Sequence, residues 1–235
     1  MIDKRFDKIL TIILIIVIIG LCIAMGFWGY DYIQKYNINK GASTFLEEFD
    51  QKVQIIDPNS IAITNATVQE QNIVEENNET VQQGNPGGGS TPRGNGNKNT
   101  GVPLTYKGFN VLGKIEIPAT KVNYPVLEKA TESSMKVSVG VVYGSLNEPG
   151  NTVIMGHNYR NGALFSNNKK LNIGDVIYIT DTTGRKITYT IYNKYTTAST
   201  DFDYAIRDTA GKREISLASC TDDSQSRLII WAREQ

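Results

Sequence analysis

The chain of 235 residues has one histidine, His157, two cysteines, Cys22 and Cys220, and no excess of charge of either sign, with 24 Lys and Arg against 24 Asp and Glu. Without a net positive field, and with no Arg-Lys cluster beyond the amino tail, nucleic acid is not an expected partner. The acidic side chains do not follow the spacing of a calcium loop, so no metal and no other cofactor is expected.

Charge is also absent from one long stretch. Ile9 to Tyr30 contains no Asp, Glu, Lys or Arg, and about twenty apolar residues are what a helix needs to cross a hydrocarbon core. Lys4, Arg5 and Lys8 precede it, and the excess of Lys and Arg on short cytoplasmic flanks puts that tail inside. A cleaved signal peptide would have an apolar region of about 7 to 15 residues ending in small side chains. Here the run continues through Phe27, Trp28 and Tyr30, which suit a lipid-water interface. The expected topology is a single-pass plasma-membrane protein: residues 1–8 cytoplasmic, 9–30 the signal anchor, and everything after Asp31 outside. Cys22 then lies in the anchor and Cys220 outside, so the two cannot pair, and Cys220 is a lone exported thiol.

Residues 31–101 read as a stalk and linker. Ala42 to Ile56 carries Phe45, Leu46, Phe49, Val53 and Ile56 at helical spacing, before Pro58. Ile61 to Gln83 is too polar to build a core, and Gly84 to Gly101 has the Gly, Asn and Ser content of flexible coil. A tether of about 60 such residues spans roughly 40 Å and leaves the orientation of the carboxyl-terminal domain free.

Residues 102–235 carry strand signals at Val111 to Ile117, Tyr124 to Leu127, Val137 to Tyr143, Thr152 to His157, Asp175 to Thr180, Lys186 to Tyr195, Ile215 to Ser219 and Leu228 to Ala232. The period of two is plainest where Ile187, Tyr189 and Ile191 alternate with Thr188, Thr190 and Tyr192. Pro149-Gly150, Asn161-Gly162 and Thr183-Gly184 supply turns. The expected fold is all-β: a closed or nearly closed barrel of about eight strands with short helices, the candidates being Leu164 to Leu171 and Asp203 to Asp208.

Three chemically capable side chains fall at the ends of these runs. Cys220 ends Glu214 to Cys220, Arg227 opens the next run, and His157 ends Asn151 to His157. Each alone suits a bland role: a small buried thiol, a hydrogen-bonded loop imidazole, a solvated arginine. Together they are the parts of a cysteine transpeptidase.

In these residues the chain resembles the sortases, cell-surface transpeptidases of Gram-positive bacteria. The family's Thr-Leu-x-Thr-Cys strand end corresponds to Ser216-Leu217-Ala218-Ser219-Cys220, its arginine to Arg227 before Leu-Ile-Ile-Trp, and its histidine to Gly156-His157. Leu112 to Pro118, Tyr124 to Leu127 and Leu171 to Asp175 are also similar to family segments. Two pattern threonines are Ser216 and Ser219 here, which keep the hydroxyl and lose a methyl. No Asp-Pro-aromatic lid precedes the barrel, no second apolar segment comes after it, and the link from Tyr195 to Glu214 is short for a long inserted helix. A class A, B or D-like member fits better than a pilus-type class C enzyme, with the class left open.

The resemblance implies a reaction. A secreted protein bearing a carboxyl-terminal Leu-Pro-x-Thr-Gly-like sorting signal is cut between Thr and Gly through a thioester on Cys220, and a peptidoglycan stem or cross-bridge amine resolves it. A free cysteine with a pKa of about 8.5 supplies little thiolate at neutral pH, so a nearby partner is needed. His157, the only imidazole, would protonate the departing amine, and Arg227 would offer charged donors to the oxyanion. Ser219 and Asn158 are candidates for substrate contact, Ser219 also for bracing the strand end. Asp222, Asp223 and Asn158 lie where one of them could orient His157. Two other readings remain open at this level: a different exported cysteine peptidase or transpeptidase, such as an L,D-transpeptidase, whose His-Gly before the cysteine is replaced here by Ala218-Ser219, and a non-enzymatic adhesin, which needs no free thiol.

Overall fold

The computed structural model describes residues 4–54 and 101–235. The polar stretch, the Gly-rich linker up to residue 100, Ile56 and Pro58 lie outside the described residues.

Alternating apolar side chains make the strands, and their inward faces make the core. The strands are β1 (Leu104–Tyr106), β2 (Phe109–Ile117), β3 (Val122–Leu127), β4 (Val139–Tyr143), β5 (Gly150–Met155), β6 (Val176–Asp181), β7 (Lys186–Ala198), β8 (Arg213–Cys220) and β9 (Ser226–Glu234). They are hydrogen-bonded in the order β1-β2-β3-β4-β5-β8-β9-β7-β6, and pairing of β6 back onto β2 closes the ring. Strands β2 to β9 form the expected closed eight-strand barrel. Strand β1 is added by a short hairpin onto the amino end of β2. Most contacts are antiparallel, but β5 runs parallel to β8, with Met155 opposite Ala218. Ile115, Ile117, Ile154, Ile177, Ile179, Leu217 and Ile230 are buried in the interior.

The helical expectations fare unevenly. Within Leu164 to Leu171 the structure has a 3₁₀ turn at Asn168–Lys170. Within Asp203 to Asp208 the structure has a turn at residues 203–205, closed by the Ala205 N–H to the Phe202 carbonyl at 2.9 Å, rather than a helix, and Asn151 Nδ2 donates to the carbonyls of Tyr204 (3.1 Å) and Ala205 (2.9 Å). A short helix not expected from the sequence, α2 (Glu132–Met135), is fixed by a reciprocal capping box between Thr131 and Ser134.

The amino-terminal helix is longer than expected. Helix α1 runs unbroken from Lys4 to Gln54 and contains a segment long and apolar enough to be a candidate membrane span. Its two halves differ. From Lys8 to Phe27 every residue is exposed, whereas from Gln34 onward one stripe is covered. Residues 31–54, expected as the first part of a stalk, are therefore helical and docked on the barrel. Ile38 and Ala42 join the main core beside Tyr124 and Leu164, while Phe45, Leu46, Phe49 and Val53 pack with Leu104, Tyr106, Val111 and Leu127. Burying each large side chain contributes about 1.5–3 kcal/mol. Gly41 lets the helix approach closely, since a Cβ there would lie 2.8 Å from the Tyr106 hydroxyl. Polar contacts run along the same seam: Asn161 Nδ2 to Gln34 Oε1 (3.4 Å), Tyr124 Oη to Asn39 Oδ1 (2.5 Å) and Lys114 Nζ to Asp50 Oδ1 (2.6 Å).

Candidate functional site

Strand β8 carries Cys220 as its last residue, and β9 carries Arg227 directly opposite in the antiparallel register. The turn between them is closed by Thr221, whose hydroxyl accepts from the Ser226 N–H and donates to the Asp223 carboxylate. The parallel pairing of β5 with β8 brings in the third residue. Beyond Met155 and Ala218, the last pair of that ladder, the Gly156 N–H donates to the Ala218 carbonyl at 3.1 Å, and His157 follows Gly156 in the chain. Asn158, next in line, donates from Nδ2 to the Cys220 carbonyl at 3.0 Å. Gly156 is needed for this approach, because a Cβ there would lie 2.8 Å from Val139 and 2.9 Å from the Phe165 ring.

The pleat decides which face the groups share. Ile215 and Leu217 point into the main core, whereas Ala218 packs outside it with Val153, Tyr204 and Ile229. By the same alternation Cys220 and Arg227 belong to the outer side of the barrel wall, with Met155. Arg227 Nη1 is 4.0 Å from the Met155 sulfur, and Nε donates to the Ser199 carbonyl at 3.1 Å. Its guanidinium lies 5.8 Å from the centroid of the Phe202 ring. Cys220 is a free, half-buried thiol. Ser219 is buried and alternates onto the opposite face, so the structure does not bring it to the side shared by Cys220 and Arg227.

His157 is half-buried, with its ring against Tyr159 at a centroid distance of 5.0 Å. Burial lowers its pKa below the usual 6.5, and the positive charge of Lys136 acts in the same direction against the weaker opposing effect of Glu132. The imidazole is thus biased toward its neutral form at neutral pH. Asn158 also donates to Asp222 Oδ1 at 2.9 Å, and Asp222 pairs with Lys169 at 2.5 Å. The Lys169 bond, then the Asn158 bond, hold that carboxyl below the usual carboxylate range. Asp222 and Asn158 therefore tie the loop after His157 to the turn after Cys220. Asp223 is engaged with Thr221 and the Gln225 N–H.

Sequence reasoning did not find Met155, Ser199, Phe202 or Tyr159. Met155 was findable, being two residues before His157 on one strand face; the other contacts depend on loop paths. Among the described residues no group of three or more His, Cys, Asp or Glu side chains could hold a metal ion. A cavity of about 440 Å³ lies elsewhere, between α1 and the β1–β2 turn, lined by Lys40, Thr44, Phe45, Tyr106 and Lys107 among others.

Comparison with known proteins bears on this arrangement. Residues 115–235, more than half of the chain, match the family model described as the sortase domain. A curated relative, Sortase A of Bacillus anthracis, is 29% identical over 130 residues, a match covering 51% of this chain and 58% of the relative, so the chain spans less than two thirds of that protein's length. Among solved structures, Sortase A from Corynebacterium diphtheriae is similar with a TM-score of 0.50 and 25% identity, covering 54% of this chain and 61% of that one. A Clostridium perfringens Sortase D5 transpeptidase has a TM-score of 0.49 and 26% identity, covering 53% of this chain and 79% of that one.

Proposed function

The chain belongs to the sortase family, and from that premise we propose that it is a membrane-anchored cysteine transpeptidase whose nucleophile is Cys220. Its clients are secreted proteins with a Leu-Pro-x-Thr-Gly-like sorting signal, and its second substrate is a peptidoglycan stem or cross-bridge amine. The observation that supports this reading is the meeting of three chain segments: Cys220 faces Arg227 across β8 and β9, and Asn158, the residue after His157, bonds the Cys220 carbonyl.

The cycle follows from the side chains. His157, biased toward neutral by burial and Lys136, accepts the Cys220 proton as the sulfur attacks the Thr-Gly carbonyl. The Arg227 guanidinium stabilises the oxyanion with charged donors. The imidazolium then gives its proton to the departing glycine amine, leaving the thioester. An incoming amine loses a proton to His157 and displaces the thiolate, which restores the thiol. Asn158 holds the Cys220 carbonyl and so fixes the strand end; Ser219, on the inner face, braces that end. Helix α1 would anchor the enzyme with Lys4, Arg5 and Lys8 on the cytoplasmic side.

Purified full-length protein in detergent micelles, incubated with a panel of sorting-signal peptides and amines, tests the reading by mass spectrometry. A thioester on Cys220, and a peptide-amine conjugate that disappears in Cys220→Ala, is expected. Cleavage that persists in Cys220→Ala, or no adduct with any peptide, would overturn it.

A further inference from the structure

The seam between α1 and the barrel fixes where the site lies relative to the membrane. It begins close after the apolar run: Gln34, which bonds the barrel at Asn161, is only four residues beyond Tyr30, a rise of about 6 Å along a helix. The barrel residue it meets, Asn161, belongs to the loop that starts at His157 and Asn158. Among the described residues the seam reaches Val53, whose Cγ1 would stand 3.4 Å from a Cβ placed on Gly184, in the β6–β7 turn. Between Gln34 and Val53 the helix rises about 28 Å. The barrel therefore lies lengthwise along α1, with the His157–Cys220 end low and the β6–β7 turn high.

A second observation places the lipid boundary. Just before and at the start of the seam, Trp28 is 81% exposed, Tyr30 68%, Tyr32 71%, Ile33 58% and Tyr36 52%. Aromatic side chains of this kind mark the headgroup region of a spanning helix, and here they overlap the first turns of the docked seam. The exposed aromatics and the bond to the loop after His157 thus fall within the same few turns of the helix. Arg160, exposed in that loop, bonds Ser224 through Nη2 at 2.7 Å and keeps a charge suited to anionic headgroups.

We propose that the barrel is seated on the outer surface of the bilayer, its 158–162 loop in contact with lipid headgroups, so that the Cys220 end of β8 is presented to polypeptides still held in the membrane. The partner of this surface is the lipid headgroup layer. The inference rests on α1 spanning the bilayer up to Tyr30, as in the reading above. A spacer free to reorient would show each side of the barrel to the lipid equally, whereas the seam makes α1 a strut of fixed height.

The test uses the full-length chain, with Cys22→Ser and Cys220→Ala, reconstituted into vesicles of phosphatidylglycerol and phosphatidylcholine containing spin-labelled headgroups. A fluorophore is attached in turn at Arg160→Cys and at Thr183→Cys. Quenching several-fold stronger at position 160 than at 183 is expected, and a flexible Gly-Ser insert after Ile33 should remove the difference. Equal quenching at the two positions in vesicle-bound protein overturns the seating while leaving the anchored transpeptidase intact. Failure of the protein to float with the vesicles overturns both.

Discussion

The two ends of strand β8 are about 20 Å apart and are built on opposite principles. At the start, Glu214 is buried and receives three donors, from Arg207 Nη2 (2.6 Å), Arg233 Nε (2.6 Å) and Tyr192 Oη (2.7 Å). Burial alone would raise its pKa, but the bonds from Tyr192, Arg233 and Arg207 outweigh this and hold it below the usual carboxylate range. Beside it, Ser216 donates to Asn151 and accepts from Arg207. At the other end Cys220 is a free thiol beside a guanidinium whose contacts are a backbone carbonyl, a thioether and an aromatic ring. One end spends its polar groups on each other and holds the fold. The other end leaves a guanidinium and a free thiol side by side in the register.

That contrast can be broken by substitution, and the largest effect belongs to the open end. Cys220→Ala should abolish thioester formation altogether while leaving the thermal midpoint unchanged; loss of folding in this variant, seen by circular dichroism, would put the thiol among the structural groups. At the closed end Glu214→Ala strands two arginines and is expected to cost about 3–5 kcal/mol of stability, read as a lowered urea midpoint, with kcat/KM unchanged below the transition. Arg227→Lys keeps the charge and loses the fork, so kcat should fall about 10²–10³-fold with no more than a small change in stability. Near-normal cleavage of a sorting-signal peptide by this variant would remove Arg227 from the chemistry.

The smallest effect concerns pH. The pKa of His157 in the folded chain is below its usual 6.5, so between the two values the unfolded chain binds more protons and stability rises with pH. Wild-type protein should lose stability relative to His157→Gln as the pH is lowered from 6.5, and the acid limb of kcat/KM should lie below 6.5. Parallel stability curves for the two proteins would contradict the assigned environment of the ring.

Most of the barrel was legible because its strands bury one face. The run from Ile187 to Tyr192 alternates, and the strand extends to Ala198 in the structure because its pairing with β9 continues past a register shift between Ile191 and Asn193. Strand β1 was missed because Leu104 to Tyr106 is too short to show a period. The Asp203 to Asp208 loop has helix-like composition, but its path is set by the distant Asn151 side chain, which local sequence does not encode. Phe45, Leu46, Phe49 and Val53 announced an amphipathic helix; that the polar residues 31–41 join it to the apolar run, and that the barrel is its partner, depends on tertiary contacts. At the site, Cys220, His157 and Arg227 stood out by chemistry and family resemblance. The ring of Tyr159 against the imidazole and the Ser199 carbonyl under the guanidinium follow from loop geometry alone.

The parallel pairing of β5 with β8 carries a kinetic consequence. Parallel neighbours need a long crossover, and here the hydrogen bond from Asn158 to Cys220 spans 62 positions in sequence, with the β6–β7 hairpin between. Contacts of such separation form late, after loop closure has been met by many other pairings. The chain would thus pass through its early folding with the segments of Asn158 and Cys220 far apart, and they would meet only with barrel closure.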